Sequence, residues 1–478
     1  MKKIGRGPCF ALLLMAMLAS CRVTKPYRQP ETAVEGLYRG VKAADTTNIA
    51  HLSWREMFTD TVLQGLISKG INNNLDLKIA VTRIQSAEAN LRQSKLALWP
   101  SLSVSPSFTL SKTSSAQLRS FNIQGDDSGG GGATTVIPTV KQYALTASTS
   151  WEADVWGKLR STKRAYLAYF LQSEAYKRSV QTQLVADIAT NYFALLAYDQ
   201  QLRITQETIE IRRSDVQTMK ELKQAARVTG ADVVQSESNL YAAEVSLPDI
   251  RQNIRETENA LSVLLAIPPD SIPRTRLDEQ LRDGSLQTGI PAQLLANRPD
   301  VQQAEYSFRN AFELTNVART YFYPSLSITG TGGFATANTL SNFFTGTFYG
   351  NLVAGLTQPI FSQGEIKRRL RTAEATQAEA YFTYQSTLLT AGQEVSNALY
   401  SHQMAVEKSM KRQQQLEALA KAVSYTKEFV RYTSNTNFTD VLTSEQNLLA
   451  AQLNGVDDTL QRLRSIVQLY RALGGGWR

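Results

Sequence analysis

The chain has 478 residues, of which 42% are hydrophobic and 19% are charged, so it is long enough to bury a sizeable core. Its formal net charge is +9, but Lys and Arg form no dense run, which argues against a nucleic-acid-binding protein. With two histidines, no Gly-rich phosphate loop and no metal-ligand spacing, the sequence predicts no enzyme, no metal site and no cofactor.

The N-terminus has the pattern of a secreted lipoprotein. Basic residues precede an apolar run that ends in Leu-Ala-Ser-Cys at Cys21. This order predicts a signal peptide over residues 1–20, and its end resembles the bacterial lipobox, in which the cysteine becomes the lipid-modified first residue. We therefore predict lipidation of Cys21 and a polar arm over residues 21–58. An ordinary signal peptide with a chance cysteine is the alternative.

Helix and strand patterns follow the arm. A short helix is predicted near residues 60–69 and a longer one over about 74–98, which Pro100 ends. From Ser101 apolar residues alternate with Ser and Thr, and a second alternating segment follows a Ser/Gly-rich loop. The pattern predicts a β-hairpin over residues 101–152. Each strand has about ten residues, the length that crosses a bilayer at a tilt, whereas no apolar run of 18 residues lies outside the signal peptide.

Two very long helices are the next feature. Residues 158 to about 225 contain no Pro and no Gly, so a helix of roughly 100 Å is predicted, which turns back near residues 228–231. The whole helical hairpin is predicted over residues 158–266. Tyrosines and small residues in the long helix recur at steps of three and four, which is coiled-coil spacing.

The chain restarts at Asn297-Arg298-Pro299-Asp300, because Pro suits the first turn of a helix and Asp favours its positive end. Asp76 and Asp300, and likewise Pro100 and Pro324, match at a constant offset of 224. We predict an internal duplication. Repeat 1 covers residues 59–273, a connector follows over 274–296, and repeat 2 covers 297–478 with a β-hairpin at 325–358 and a helical hairpin at 364–473.

Four strands cannot close a membrane barrel, since bacterial outer-membrane barrels have at least eight and lipid tolerates no open sheet edge. Several chains must therefore share one barrel.

Taken together, these features resemble the TolC-like outer-membrane efflux proteins, specifically the NodT-type lipoproteins of resistance-nodulation-division pumps. The resemblance covers nearly the whole chain. The motifs that carry it are the lipobox, Asn-Arg-Pro-Asp-Val at 297–301, the two Pro-Ser-Leu-Ser strand entries, and the segments at 151–157, 258–261 and 358–361.

The resemblance implies a mainly α fold with a membrane β-barrel, built as a homotrimer. Four strands per chain would contribute to a twelve-stranded barrel in the outer membrane, and the helical hairpins to a twelve-helix barrel in the periplasm. It implies a lipid-anchored outer-membrane protein with two partners, a periplasmic adaptor and an inner-membrane resistance-nodulation-division transporter.

The resemblance also implies a gate at the periplasmic tip. Asp440 matches a family position whose carboxylates ring the constriction, and Asp232 is its equivalent in repeat 1; helix N-capping is the equal alternative for both. The other predicted gate residues are Arg431, Tyr432 and Thr443, the last standing where relatives often have a second Asp. The predicted tip contacts for the adaptor or pump are Gly230, Ser434, Asn435 and Asn437.

The function that follows is a passive exit duct for small molecules such as drugs. A metal-ion efflux duct, a type I protein secretion duct and a non-conducting envelope lipoprotein are the alternatives. Soft-metal relays use clustered Met or Cys, whereas Met57, Met219, Met404 and Met410 are dispersed, which disfavours copper or silver export.

Overall fold

The computed structural model describes residues 23–30, 52–112, 139–280, 298–432 and 438–478. The helices, in chain order, are α1 Trp54–Met57, α2 Thr61–Asn73, α3 Leu75–Leu96, α4 Lys158–Gln224, α5 Gly230–Leu264, α6 Pro299–Thr320, α7 Glu365–Tyr432 and α8 Phe438–Ala472. The strands are β1 Ser101–Lys112, β2 Thr139–Ala153, β3 Ser325–Ala337 and β4 Phe348–Thr357. The mainly helical fold with a small antiparallel sheet that the sequence predicts is therefore confirmed.

The helix boundaries follow local chemistry. Pro299 begins α6, as its fixed φ and missing N–H favour. Helix α3 ends at Leu96, two residues before the predicted end, because the Trp99 N–H donates to the Leu96 carbonyl (2.9 Å) and tightens the chain into a turn ahead of Pro100. Asp60 caps α2, since one carboxylate oxygen accepts from the N–H groups of Val62 (2.8 Å) and Leu63 (3.3 Å).

The four strands form one antiparallel sheet in the order β1-β2-β3-β4. Strands that are consecutive in the sequence are also neighbours in the sheet, so β1 and β4 are the two edge strands. The register pairs Ser101 with Ser150, Ala153 with Leu326, and Ser325 with Thr357. The beginning of β1 and the end of β4 therefore lie at the same end of the sheet.

Two compact units make up the chain, and each contains segments from both halves of the sequence. We name the first the sheet unit, because it holds all four strands, and the second the core unit. The sheet unit comprises Met1–Gln29, Ala87–Tyr169 and Phe308–Glu379, and the core unit comprises Pro30–Ser86, Phe170–Ser307 and Ala380–Arg478.

The hydrophobic core of the core unit surrounds the middle of α4. Over residues 184–197 this helix is buried on nearly every face, as a central helix should be. Ile188, Leu195 and Leu196 pack there with Leu469 of α8 and with Leu473, which directly follows that helix. The Asp60 carboxylate connects this core to the segment that follows α5. It accepts hydrogen bonds from Tyr192 of α4 (2.7 Å) and from Thr275 (2.5 Å) and Gln280 (2.8 Å) of that segment.

Among the described residues, no helix is both long enough and apolar enough to cross a membrane.

Candidate functional site

One face of the sheet is apolar across all four strands. The register aligns Leu102, Thr149, Gly330 and Leu352 in one row. A second row on the same face, four residues along β1, contains Pro106, Leu145, Phe334 and Phe348. Leu102 and Leu352 are each 75% exposed. The sheet thus presents large hydrophobic side chains on a surface that the described part of the chain leaves uncovered.

The opposite face carries hydroxyl groups. Ser105, Thr146, Gly333 and Tyr349 form one of its rows. The Thr146 hydroxyl and the Tyr349 hydroxyl lie 2.6 Å apart and hydrogen-bond across β3. They can do so because Gly333, between them, has no side chain. A Cβ there would lie 2.1 Å from the backbone carbonyl of Leu145. The alternation predicted from the sequence therefore produces two chemically different faces.

Both edges of the sheet lack a partner strand within the described chain. β1 pairs only with β2, and β4 only with β3. The outward N–H and C=O groups of both edges remain available to another strand.

A cavity of about 340 Å³ lies in the sheet unit where the strands meet the helices. Lys158 lies over the ring of Tyr321 (5.2 Å) and pairs with Glu152 (3.0 Å), and Arg369 lies over the same ring (5.0 Å). Asp154 caps α4 by accepting from Leu159 N–H (2.8 Å). The first turn of α4 is thus held in place by the Lys158–Glu152 ion pair and by the Asp154 cap.

At the first tip, Asp232 lies in a capping box. Its carboxylate accepts from the Thr229 N–H (2.8 Å) and hydroxyl (2.7 Å), while its own N–H donates to the Thr229 hydroxyl (3.3 Å). These hydrogen bonds lower the pKa of Asp232. Gly230 begins α5 beside it, and a Cβ there would meet only the flexible end of Lys223.

At the second tip, Asp440 occupies the corresponding place, in the first turn of α8, and is exposed. Thr443 donates to the Thr439 carbonyl (2.8 Å), one turn earlier in the same helix. Arg431 and Tyr432 are the last two residues of α7. Cys21 and the predicted tip residues Ser434, Asn435 and Asn437 lie outside the described residues.

The structure reveals one charged cluster that sequence reasoning missed. Asp215 of α4 lies beside Glu445 of α8, which forms an ion pair with Lys427 of α7 (2.5 Å). Arg212, one turn before Asp215, is buried and donates to the Asn239 carbonyl. Burial, reinforced by the Glu445 carboxylate, raises the pKa of Asp215 to about 6.

A faint sequence signal for this cluster exists. Arg212 falls within the apolar stripe of Ile209, Val216 and Met219, at steps of three and four. A charge in such a stripe indicates a buried polar contact. The partners Lys427 and Glu445 could not be inferred, because they belong to helices more than 200 residues further along the sequence.

Comparison with known proteins agrees with these features. The sequence model described as "Outer membrane efflux protein" matches residues 66–266 and 290–475. The chain is 30% identical to the toluene efflux pump outer membrane protein TtgC of Pseudomonas putida, over 96% of this chain and 94% of the relative.

Solved structures show the same fold. The outer-membrane channel OprN matches with a TM-score of 0.84 and 23% identity, over 96% of this chain and all of that chain (100%). The CmeC outer membrane channel of Campylobacter jejuni matches with a TM-score of 0.83 and 24% identity, over 95% of each chain. With a family match over most of its length, the chain belongs to the outer membrane efflux protein family.

Proposed function

We propose that this outer-membrane efflux protein is the passive exit duct of a tripartite pump and that three copies of the chain form it. The observation that carries the proposal is the sheet, which combines an exposed apolar face, a hydroxylated face and two unpaired edges. In lipid every backbone group needs a partner, so the edges of one copy must meet those of others. As a member of its family, the protein is not an enzyme.

Three copies supply twelve strands, enough for a closed membrane barrel. The apolar face would contact lipid, and the hydroxylated face would line a water-filled lumen. Mass measurement of the purified protein in detergent tests this directly, and we expect three chains per particle. A stably folded monomer would refute the arrangement.

Conductance separates a duct from a structural lipoprotein. In a planar bilayer the purified trimer should pass ions in discrete steps. A correctly assembled trimer that never conducts would instead support a purely structural role in the envelope.

We further propose that a periplasmic adaptor and an inner-membrane transporter of the resistance-nodulation-division class deliver cargo to the duct. The relation to a toluene efflux protein favours small organic compounds as cargo. Crosslinking in cells, followed by identification of the captured adaptor and transporter, tests the partners. Deletion of the gene should increase sensitivity to such compounds, and the wild-type gene should restore resistance.

We propose that the chain is an internal duplication with the boundaries given above.

We also propose that Asp440 contributes to the closed gate. Three symmetry-related Asp440 carboxylates around a narrow pore would favour cations. Arg431, Tyr432 and Thr443 would complete this gate. Asp232 is engaged as a helix cap in the structure, which leaves Asp440 as the stronger gate candidate of the two.

The matched pair Asp440→Asn and Asp232→Asn tests the gate. We expect the first to lower cation selectivity in single-channel recordings and the second to leave it unchanged. Equal selectivity in wild type and Asp440→Asn, together with reduced thermal stability, would make Asp440 a helix cap only.

A further inference from the structure

Three large and highly exposed hydrophobic side chains of the described residues lie just beyond the ends of the two edge strands. Ile360 is 93% exposed and Phe361 is 86% exposed, and they follow the end of β4. Trp99, 73% exposed, precedes the start of β1. A Phe or Trp side chain carries about 150–250 Å² of surface that favours burial. We call Trp99 the β1 anchor, and Ile360 with Phe361 the β4 anchor.

The segments that carry the two anchors are each held by a hydrogen bond to a backbone carbonyl. The Trp151 indole N–H donates to the Leu98 carbonyl (3.0 Å), which ties the residue before Trp99 to β2. After Phe361, the Glu365 N–H donates to the Ser362 carbonyl (2.9 Å), and α7 begins. The apolar side chains are therefore presented from segments that are themselves fixed at one end.

The sheet topology determines where the anchors would meet. β1 and β4 lie on opposite edges of one copy, so the two anchors of that copy are separated by the width of the sheet. The start of β1 and the end of β4 nevertheless lie at the same end of the sheet. If copies join edge to edge, β4 of one copy runs antiparallel to β1 of the next, with the strands about 4.8 Å apart. The β4 anchor of one copy then reaches the β1 anchor of its neighbour.

We propose that the β4 anchor of one copy packs against the β1 anchor of a second copy, forming a hydrophobic clamp at each joint between copies. The inference rests on the proposed trimer and adds to it the side chains that lock each joint below the strands. A second copy is favoured over lipid because the same edges carry unpaired backbone groups, which lipid cannot satisfy but a strand can. Whatever closes the edge also covers the anchors.

Cysteine crosslinking of the full-length protein in cells tests the clamp. The variant W99C/F361C, treated with a short bismaleimide, should give covalent dimers and trimers on a denaturing gel, whereas W99C and F361C alone should not. The matched control is W99C/L340C, which places the second cysteine in the loop between β3 and β4, at the opposite end of the sheet from Trp99, and it should not link. Equal linking of both pairs, or no linking of W99C/F361C, refutes the clamp. Mass measurement in detergent decides separately whether the trimer stands.

Photocrosslinking identifies the occupant independently. With p-benzoylphenylalanine in place of Phe361, irradiation should join two copies, and mass spectrometry should locate the link in the peptide that contains Trp99. Attachment to lipid alone would overturn the proposal. Leu340, exposed in the loop between β3 and β4, is the matched position for the same photoreactive residue, and it should give no link to that peptide.

Discussion

Arg298 connects three helices through one buried side chain. Its guanidinium, 7% exposed, donates to Asp300 (2.6 Å) at the start of α6, to Glu394 (2.8 Å) of α7 and to the Ala472 carbonyl (2.9 Å) at the end of α8. The Asn-Arg-Pro-Asp motif therefore acts in packing, since Pro299 begins the helix and Arg298 ties that beginning to two others.

Removal of this guanidinium should destabilise the core unit. We expect Arg298→Ala to lower the free energy of unfolding by about 1–3 kcal/mol, because two partly exposed carboxylates and the Ala472 carbonyl would lose hydrogen bonds from a charged donor. Arg298→Lys should recover only part of this loss, since an ammonium cannot form the same fork of hydrogen bonds. Thermal unfolding in detergent measures both. Wild-type stability of Arg298→Ala would show that the motif has no packing role.

The raised pKa of Asp215 predicts that its contribution to stability changes with pH in the opposite direction to that of most carboxylates. Burial and Glu445 raise its pKa from 3.8 to about 6, with Arg212 and Lys427 acting against this rise. Its contribution to stability is thus complete below about pH 4 and is lost as the pH rises through 6. Above that pH two neighbouring carboxylates of α4 and α8 repel each other.

The variant Asp215→Asn should therefore unfold at a higher temperature than wild type at pH 7.5, and the difference should shrink as the pH falls below 6. Asp278→Asn, at an exposed position, is the control and should follow wild type throughout. A constant difference between Asp215→Asn and wild type from pH 4.5 to 7.5 would contradict this account.

At the scale of elements, the sheet depends on one missing side chain. A methyl group at Gly333 would collide with the Leu145 carbonyl of the neighbouring strand. Gly333→Ala should cost about 1–3 kcal/mol, typical of overpacking, and should separate the Thr146 and Tyr349 hydroxyls. Gly355→Ala is the matched control, because nothing lies within 4 Å of the added Cβ. Thermal stability in detergent and the yield of the proposed trimer on a denaturing gel report the effect of both variants.

The two faces of the sheet should respond differently to charge. Leu352→Asp, on the apolar face, should cost about 1–4 kcal/mol according to its depth in the membrane. Ser105→Asp, on the hydroxylated face, should be tolerated because water solvates it. Trimer yield and thermal stability decide the prediction, and an equal loss in both variants would mean that the faces are assigned wrongly.

The bounds of these elements were largely predictable, because they depend on local signals. Pro100, Pro299 and Pro324 mark boundaries that the structure confirms within a few residues. Alternation also predicts which residues of one strand share a face. The hydrogen bond between Thr146 and Tyr349 was not predictable, since it depends on a register between strands about 200 residues apart. The Asp215 cluster escaped prediction for the same reason.

At the scale of the whole molecule, the two compact units do not coincide with the two sequence repeats. The sheet unit takes one β-hairpin and the adjoining helix ends from each predicted repeat, and the core unit takes most of the helical segments of both. A chain folded in this way cannot be separated into two independent domains by a single cut. The proposed repeats would thus describe descent, whereas the compact units describe packing.

Lipidation of Cys21 stays a prediction at this scale. Cys21→Ala should abolish labelling by a palmitate analogue in cells, while the trimer still assembles, because strand pairing and helix packing do not use the lipid. Ser20→Ala, which leaves the cysteine in place, is the matched control and should keep the label. Continued labelling of Cys21→Ala would refute lipidation at this residue.

The two unpaired strand edges have a kinetic consequence for how the protein reaches the membrane. A single chain cannot bury its sheet in lipid without exposing both edges, so insertion and association must occur together rather than in succession. The rate of assembly should therefore rise more steeply than linearly with the amount of protein made. An acyl anchor would confine waiting chains to two dimensions and raise their effective concentration. Loss of the acyl group should thus slow assembly of the proposed trimer most when expression is low, even though the finished assembly would be equally stable.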